Sequence, residues 1–161
     1  MNLDTLVRQG ERPWLPLPDA TDLDVWMEYG HPRIGTFRVG HDLVMFAAAY
    51  DVDDDRLSVW AYAPVPAEFE ALARETQFDT PADLRTFVNN VFAGRTAVFA
   101  VADNSCIARW STRDVANVEE GLISTAADFL DSLLRAMPLL SPAARLQAAV
   151  KAAEARDLVS A

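Results

Sequence analysis

An α+β fold is what this sequence predicts: an antiparallel sheet, made of a four-strand meander plus a hairpin, with helices packed mainly on one face. Three observations predict it. Apolar and polar residues alternate with a period of two in short runs between residues 22 and 63 and again between 95 and 111. Apolar residues recur at helical spacing over 66–94 and 117–136, and glycine, proline or acidic clusters separate the runs. With 161 residues, of which 51% are hydrophobic, a single domain over 1–161 can fill one core.

The chain opens with an N-terminal helix and proline-rich arm over 1–21. Residues 2–9 predict a short helix, and three prolines between 13 and 18 enforce an extended arm anchored by Trp14, Leu15 and Leu17. In DLDVWMEY, Leu23, Val25, Met27 and Tyr29 alternate with Asp24, Trp26 and Glu28, so the first set is expected on the buried face. A second strand covers 33–39 and turns at Gly40-His41-Asp42; LVMFAAAY is apolar on both faces, as a central strand is. RLSVWAYA is the fourth strand, with Leu57, Val59 and Ala61 on one face and Ser58, Trp60 and Tyr62 on the other.

Helices follow at PAEFEALARET and at TPADLRTFVNNVFAG, the latter with Thr80 as N-cap, Pro81 at N1, Asp83 at N3 and a stripe of Leu84, Phe87, Val88, Val91 and Phe92. RTAVFAVA and CIARWS flank Asp103-Asn104-Ser105 and predict a hairpin. A long helix is expected from Asn117 to about 136, with Glu120 at N3 and an apolar face of Leu122, Ile123, Ala126, Phe129, Leu130, Leu133 and Leu134. MPLLSP ends it, and a peripheral C-terminal helix over 141–161 shows only the thin stripe Leu146, Val150, Ala153.

Charge narrows the partners. Acidic residues number 24 against 14 basic, a net charge of −10, whereas phosphate backbones require a basic face. Nucleic acid and anionic membranes are therefore not expected partners, and a basic protein surface is. No apolar run is long enough to span a bilayer, and MNLDTLVRQG lacks the pattern of a signal peptide, so a cytoplasmic location is expected. The single cysteine, Cys106, fits a reducing compartment and reads as a small buried apolar residue, because nothing in sequence supplies it with a base.

The acid-rich stretch DVDDDRLSVWAY tests for metal chemistry. Asp51, Asp53 and Asp55 match the first three ligand positions of a calcium loop, but Arg56 stands where glycine makes the turn and Tyr62 where glutamate closes the shell. The bend is read as a solvated strand connection, and no metal or cofactor is expected. His31 and His41, roughly 30 Å apart on an extended strand, are turn residues. Gly30, Gly35 and Gly40 are spaced for bends, with no phosphate-cradling loop and no GxSxG elbow, and clustered aspartates of similar environment do not supply the separated roles of a catalytic pair.

Two resemblances add to this. EYGHPRIGTFRVGHDLVMF, AYAPVPAEFEALA and TPADLRTF resemble a family of small uncharacterised bacterial domains that open with a Tyr-x-x-Pro strand pair, here Tyr29 and Pro32, over about residues 22–111. That resemblance implies a fold and no activity. The order of meander, helix, hairpin and helix is also similar to class I secretion chaperones, with an extra strand and an extra helix in this chain.

Three functions are consistent with these residues. The first is a non-enzymatic acidic protein-binding module, a toxin- or effector-neutralising or chaperone-like partner of a basic protein, using Asp24, Glu28, Asp51, Asp53, Asp54 and Asp55 around Trp26, Trp60 and Tyr62. The second is a small-molecule sensor or enzyme with an aromatic sheet pocket of Trp26, Trp60, Tyr62, Arg109 and Trp110. The third is a homo-oligomer that pairs with a second copy of itself through the final helix.

Overall fold

Antiparallel strands close in sequence pair with little loop-closure cost, and the sheet is built wholly that way. The computed structural model describes residues 2–52, 57–103, 106–136 and 150–152. Among these, β1 (Thr21–Glu28), β2 (Pro32–Val39), β3 (Asp42–Asp51), β4 (Ser58–Val65), β5 (Thr96–Ala102) and β6 (Ile107–Asp114) form one antiparallel sheet in the order β1-β2-β3-β4-β5-β6. Two helices, α1 (Glu68–Glu75) and α2 (Pro81–Phe92), lie in the β4–β5 connection, and α3 (Gly121–Arg135) follows β6. The α+β expectation describes the molecule, with the hairpin forming strands five and six. No helix of the described residues is long and apolar enough to cross a membrane.

The sheet has apolar residues on both faces, and each face has its own cover. On one, Met45, Ala47, Val59, Ala61, Phe99 and Val101 meet Leu84, Val88 and Phe92 of α2 and Leu122, Ala126 and Phe129 of α3. On the other, Phe37, Phe46, Trp60, Tyr62 and Ile107 meet Leu6 and Val7 of the N-terminal arm, with Trp14 packed against them. The arm holds a 3-10 turn at Leu3–Thr5 in place of the helix expected over 2–9. Its chain extends instead to pair with the β6 edge, where Gly10 N–H donates to Ile107 O at 2.9 Å and Ile107 N–H to Glu11 O at 2.8 Å.

β1 departs from the expected alternation. Its register against β2 slips between Thr21 and Asp24 and twice between Val25 and Glu28, a bulged edge strand. Leu23, Val25 and Tyr29 are exposed, while Trp26 packs against Phe87 of α2 with ring centroids 6.3 Å apart. Gly35 makes the slip possible, because a Cβ there would collide with the Asp24 carbonyl oxygen.

Local signals set α2 as read: the Thr80–Asp83 capping box is complete and Pro81 occupies the first turn. For α3 the start moves. The helix begins at Gly121, not from an Asn117 cap, and Glu120 holds a left-handed φ of 57° without a side-chain cap bond. Its start is secured from another element, since Leu122 N–H donates to Asn89 Oδ1 of α2 at 2.8 Å, while Asn89 Nδ2 donates to Val118 O at 3.3 Å. Of the C-terminal helix, Val150 is buried and its carbonyl accepts from the Cys106 thiol at 3.8 Å; Leu146 and Ala153 lie outside the described residues. Cys106 itself is buried, as its sequence setting suggested.

Candidate functional site

Strand alternation decides which aromatic residues can share a surface, and it divides the five expected pocket residues. Trp60 (1% exposed) and Tyr62 (0%) lie on the arm-covered face with the half-buried Trp110. Tyr62 Oη donates to the Pro13 carbonyl at 2.6 Å, and Trp14 stacks on His31 at 4.9 Å beside Trp60. Trp26 lies on the helix-covered side, and Arg109 is exposed on the edge strand β6. The aromatic pocket is therefore corrected: its residues do not converge, and neither an open groove nor a helix but the arm occupies the Trp60–Tyr62 face. An extended, proline-rich segment carries no periodicity that would reveal which surface it covers.

Of the acidic residues, Glu28 and Asp51 come to one end of the sheet. β1 ends at Glu28, β2 begins at Pro32 and β3 ends at Asp51, so these termini share one end of the sheet with Tyr29, which is 84% exposed. Asp53, Asp54 and Asp55 lie outside the described residues; the flanking Val52 N–H donates to Leu57 O at that same end. Asp24 stands apart, accepting from Trp26 Nε1 at 3.3 Å and from Arg74 of α1 at 3.4 Å. The acidic residues are thus compensated in part. Arg33 Nη2 donates to both Asp51 carboxylate oxygens at 2.7 and 2.8 Å, and Ser58 Oγ to one of them at 2.7 Å. Partial burial pushes the Asp51 carboxyl up, but the hydrogen bonds from Arg33 and Ser58 and the charges of Arg33 and Arg85 outweigh it and hold the group below its ordinary value.

That depression has a signed consequence. The stability contributed by Asp51 is present above the unfolded value of about 3.8 and is lost as pH falls through the lower folded value. In a carboxyl-carbon NMR titration, Arg33→Ala is expected to move the Asp51 midpoint upward; an unmoved midpoint contradicts the assignment of Arg33 as its main partner.

Beside this pair a groove of about 920 Å3 opens on the helix side. Ile34 of β2 and Ala47 and Ala49 of β3 form its floor. The β3 register slips between Ala48 and Tyr50, so Ala49 and Tyr50 both pack toward the helix-side core. One wall is the outer side of α2, where Ala82, Arg85, Thr86, Asn89, Asn90 and Ala93 recur at helical spacing. The other is the turn into α3, with Asn117, Val118, Glu119 and Glu120. Asn89 fixes the two walls to each other through both of its amide atoms.

No protein-family model matches this chain, and no curated protein or solved structure matches it. The site is accordingly built from its own chemistry. Small side chains leave room over an apolar floor, and the rim offers a guanidinium, carboxamides and carboxylates. Asp51, held ionised, suits ion pairing and not proton donation.

No sequence motif marks this groove. Two signals for it were present: the Ala47-Ala48-Ala49 run in a strand otherwise made of bulky residues, and the small and polar residues repeating on α2 opposite its Leu84–Val88–Val91 stripe. Both become meaningful only once α2 is placed over the end of β3.

Proposed function

We propose that the protein is a non-enzymatic acidic protein-binding module, a neutralising or chaperone-like partner of a basic protein, and that it takes a segment of that partner into the groove beside α2. The observation that carries this reading is the groove itself: an apolar floor of Ile34, Ala47 and Ala49, walls joined by Asn89, and a polar rim that adjoins the acidic end of the sheet. A rigid groove spares a partner segment the cost of ordering its receptor. The net charge of −10, with Glu28 at the adjoining end of the sheet, supplies attraction to a basic surface, which accelerates encounter and weakens with salt. Tyr29 beside Glu28 adds an exposed aromatic of the kind that anchors interfaces.

Native co-purification with mass-spectrometric identification tests the reading. A basic protein is expected to be retained at low salt and to be lost progressively as ionic strength rises. Recovery of no partner at low salt, or of one whose retention ignores salt, contradicts it.

A further inference from the structure

An open antiparallel sheet leaves unpaired backbone groups along both outer strands unless something covers them, and the two edges here differ. At the β6 edge the arm is already in place: Gly10 and Glu11 bond the Ile107 backbone, and Gln9 Nε2 donates to the Ala108 carbonyl at 2.9 Å. At the other edge β1 has β2 on one side only, and no backbone hydrogen bond reaches its outer side among the described residues. About half of the N–H and C=O groups of an edge strand point outward, so the eight residues of β1 are a template for another strand. Apolar surface accompanies it. Of the six large hydrophobic residues exposed among the described ones, Leu23 and Val25 lie in β1 and Tyr29 directly follows it.

Charge decides which strand can add there. Between Thr21 and Glu28 stand three acidic residues, Asp22, Asp24 and Glu28, and no basic one. Asp24 shares Arg74 with Glu70, at 3.4 and 2.9 Å, whereas Asp22 and Glu28 enter no ion pair among the described residues. The arginines of β2 are turned to other acids, Arg33 to Asp51 and Arg38 to Glu70. A second copy of β1 laid along this edge would bring both sets of carboxylates together with no basic residue of either strand between them, and that repulsion opposes self-pairing. We infer that the β1 edge is a docking surface for an extended basic segment of a partner protein. The segment adds to the sheet as a further strand: its backbone bonds β1, its basic side chains meet Asp22 and Glu28, and its apolar ones cover Leu23 and Val25. This surface does not rest on the groove beside α2 and is tested separately from it.

NMR titration of the full chain with a nine-residue peptide of alternating lysine and valine is the test. Saturable amide shifts across Thr21–Glu28 are expected, with interstrand contacts between the peptide and β1 main-chain protons. A counterpart of alternating glutamate and valine should not bind. Neither should the lysine peptide with every amide N-methylated, which keeps the charge and the side chains but cannot donate to β1. Asp22→Asn combined with Glu28→Gln is expected to weaken binding about threefold to tenfold; asparagine tolerates the left-handed φ of 55° that residue 22 holds. Ala82→Trp, which obstructs the groove, is expected to leave binding unchanged. Absence of a saturable shift, equal binding of the acidic or the methylated peptide, or shifts confined to the groove and abolished by Ala82→Trp overturns the inference. So does pairing of β1 with a second copy as protein concentration rises.

Discussion

Trp60→Ala is expected to lower stability by about 3–5 kcal/mol, seen as a lower denaturant midpoint with unchanged slope. The indole is 1% exposed and packs beneath the arm, with Phe46, Trp14 and His31 at ring-centroid distances of 6.2, 6.4 and 5.9 Å. Its Nε1 has no hydrogen-bond partner among the described residues, so the loss is one of packing. Such a loss is a large share of the roughly 5–15 kcal/mol that holds a domain folded. Trp26→Ala, half-buried on the other face against Phe87, is expected to cost only about 1–2 kcal/mol. Equal losses at the two positions would contradict the assignment of Trp60 to the enclosed face. Tyr62 adds a pH dependence on that face: burial raises its hydroxyl well above the ordinary 10.0. The stability it contributes is complete below about pH 10 and is lost as pH rises from there toward the folded value.

Gly121→Ala is expected to cost about 1–3 kcal/mol, although alanine is the better helix former by about 1 kcal/mol. A Cβ at Gly121 would collide with the carbonyl group of Ala116, which is main chain and cannot rotate aside. Relief requires moving the 116–120 turn, which carries one wall of the groove, away from Asn89. Hydrogen exchange at the Leu122 amide, the donor to Asn89 Oδ1, should accelerate along with the loss of stability. A stabilised variant with unchanged exchange would show that helix propensity outweighs the close approach.

What was legible in the sequence follows from the range of the forces involved. The Thr80–Asp83 capping box and the alternation in β3 and β4 are local, and they placed α2 and the centre of the sheet. The start of α3 departs from the local signal at Asn117 because its first turn is bonded by Asn89, 33 positions from Leu122 in the chain. Alternation in β1 pointed to the wrong face, since at an edge strand bulges reset the register and Trp26 gains more by packing on Phe87 than Leu23 or Val25 gains elsewhere. The acid patch was visible as composition, yet Arg33, which neutralises Asp51, comes from the adjoining strand, 18 positions away. The site as read from sequence and the groove share Asp51, but the groove depends on the placement of α2 and α3, which no local pattern encodes.

Quantitative co-purification of the Ala82→Trp variant beside the wild type tests the central claim most directly. Ala82 is exposed in the first turn of α2, so a tryptophan there obstructs that part of the groove without entering the core. Docking in the groove predicts that a salt-sensitive basic protein retained by the wild type is lost from the variant while the melting temperature of the variant is unchanged. Equal retention of that protein by both would place its binding elsewhere on the molecule and contradict the account.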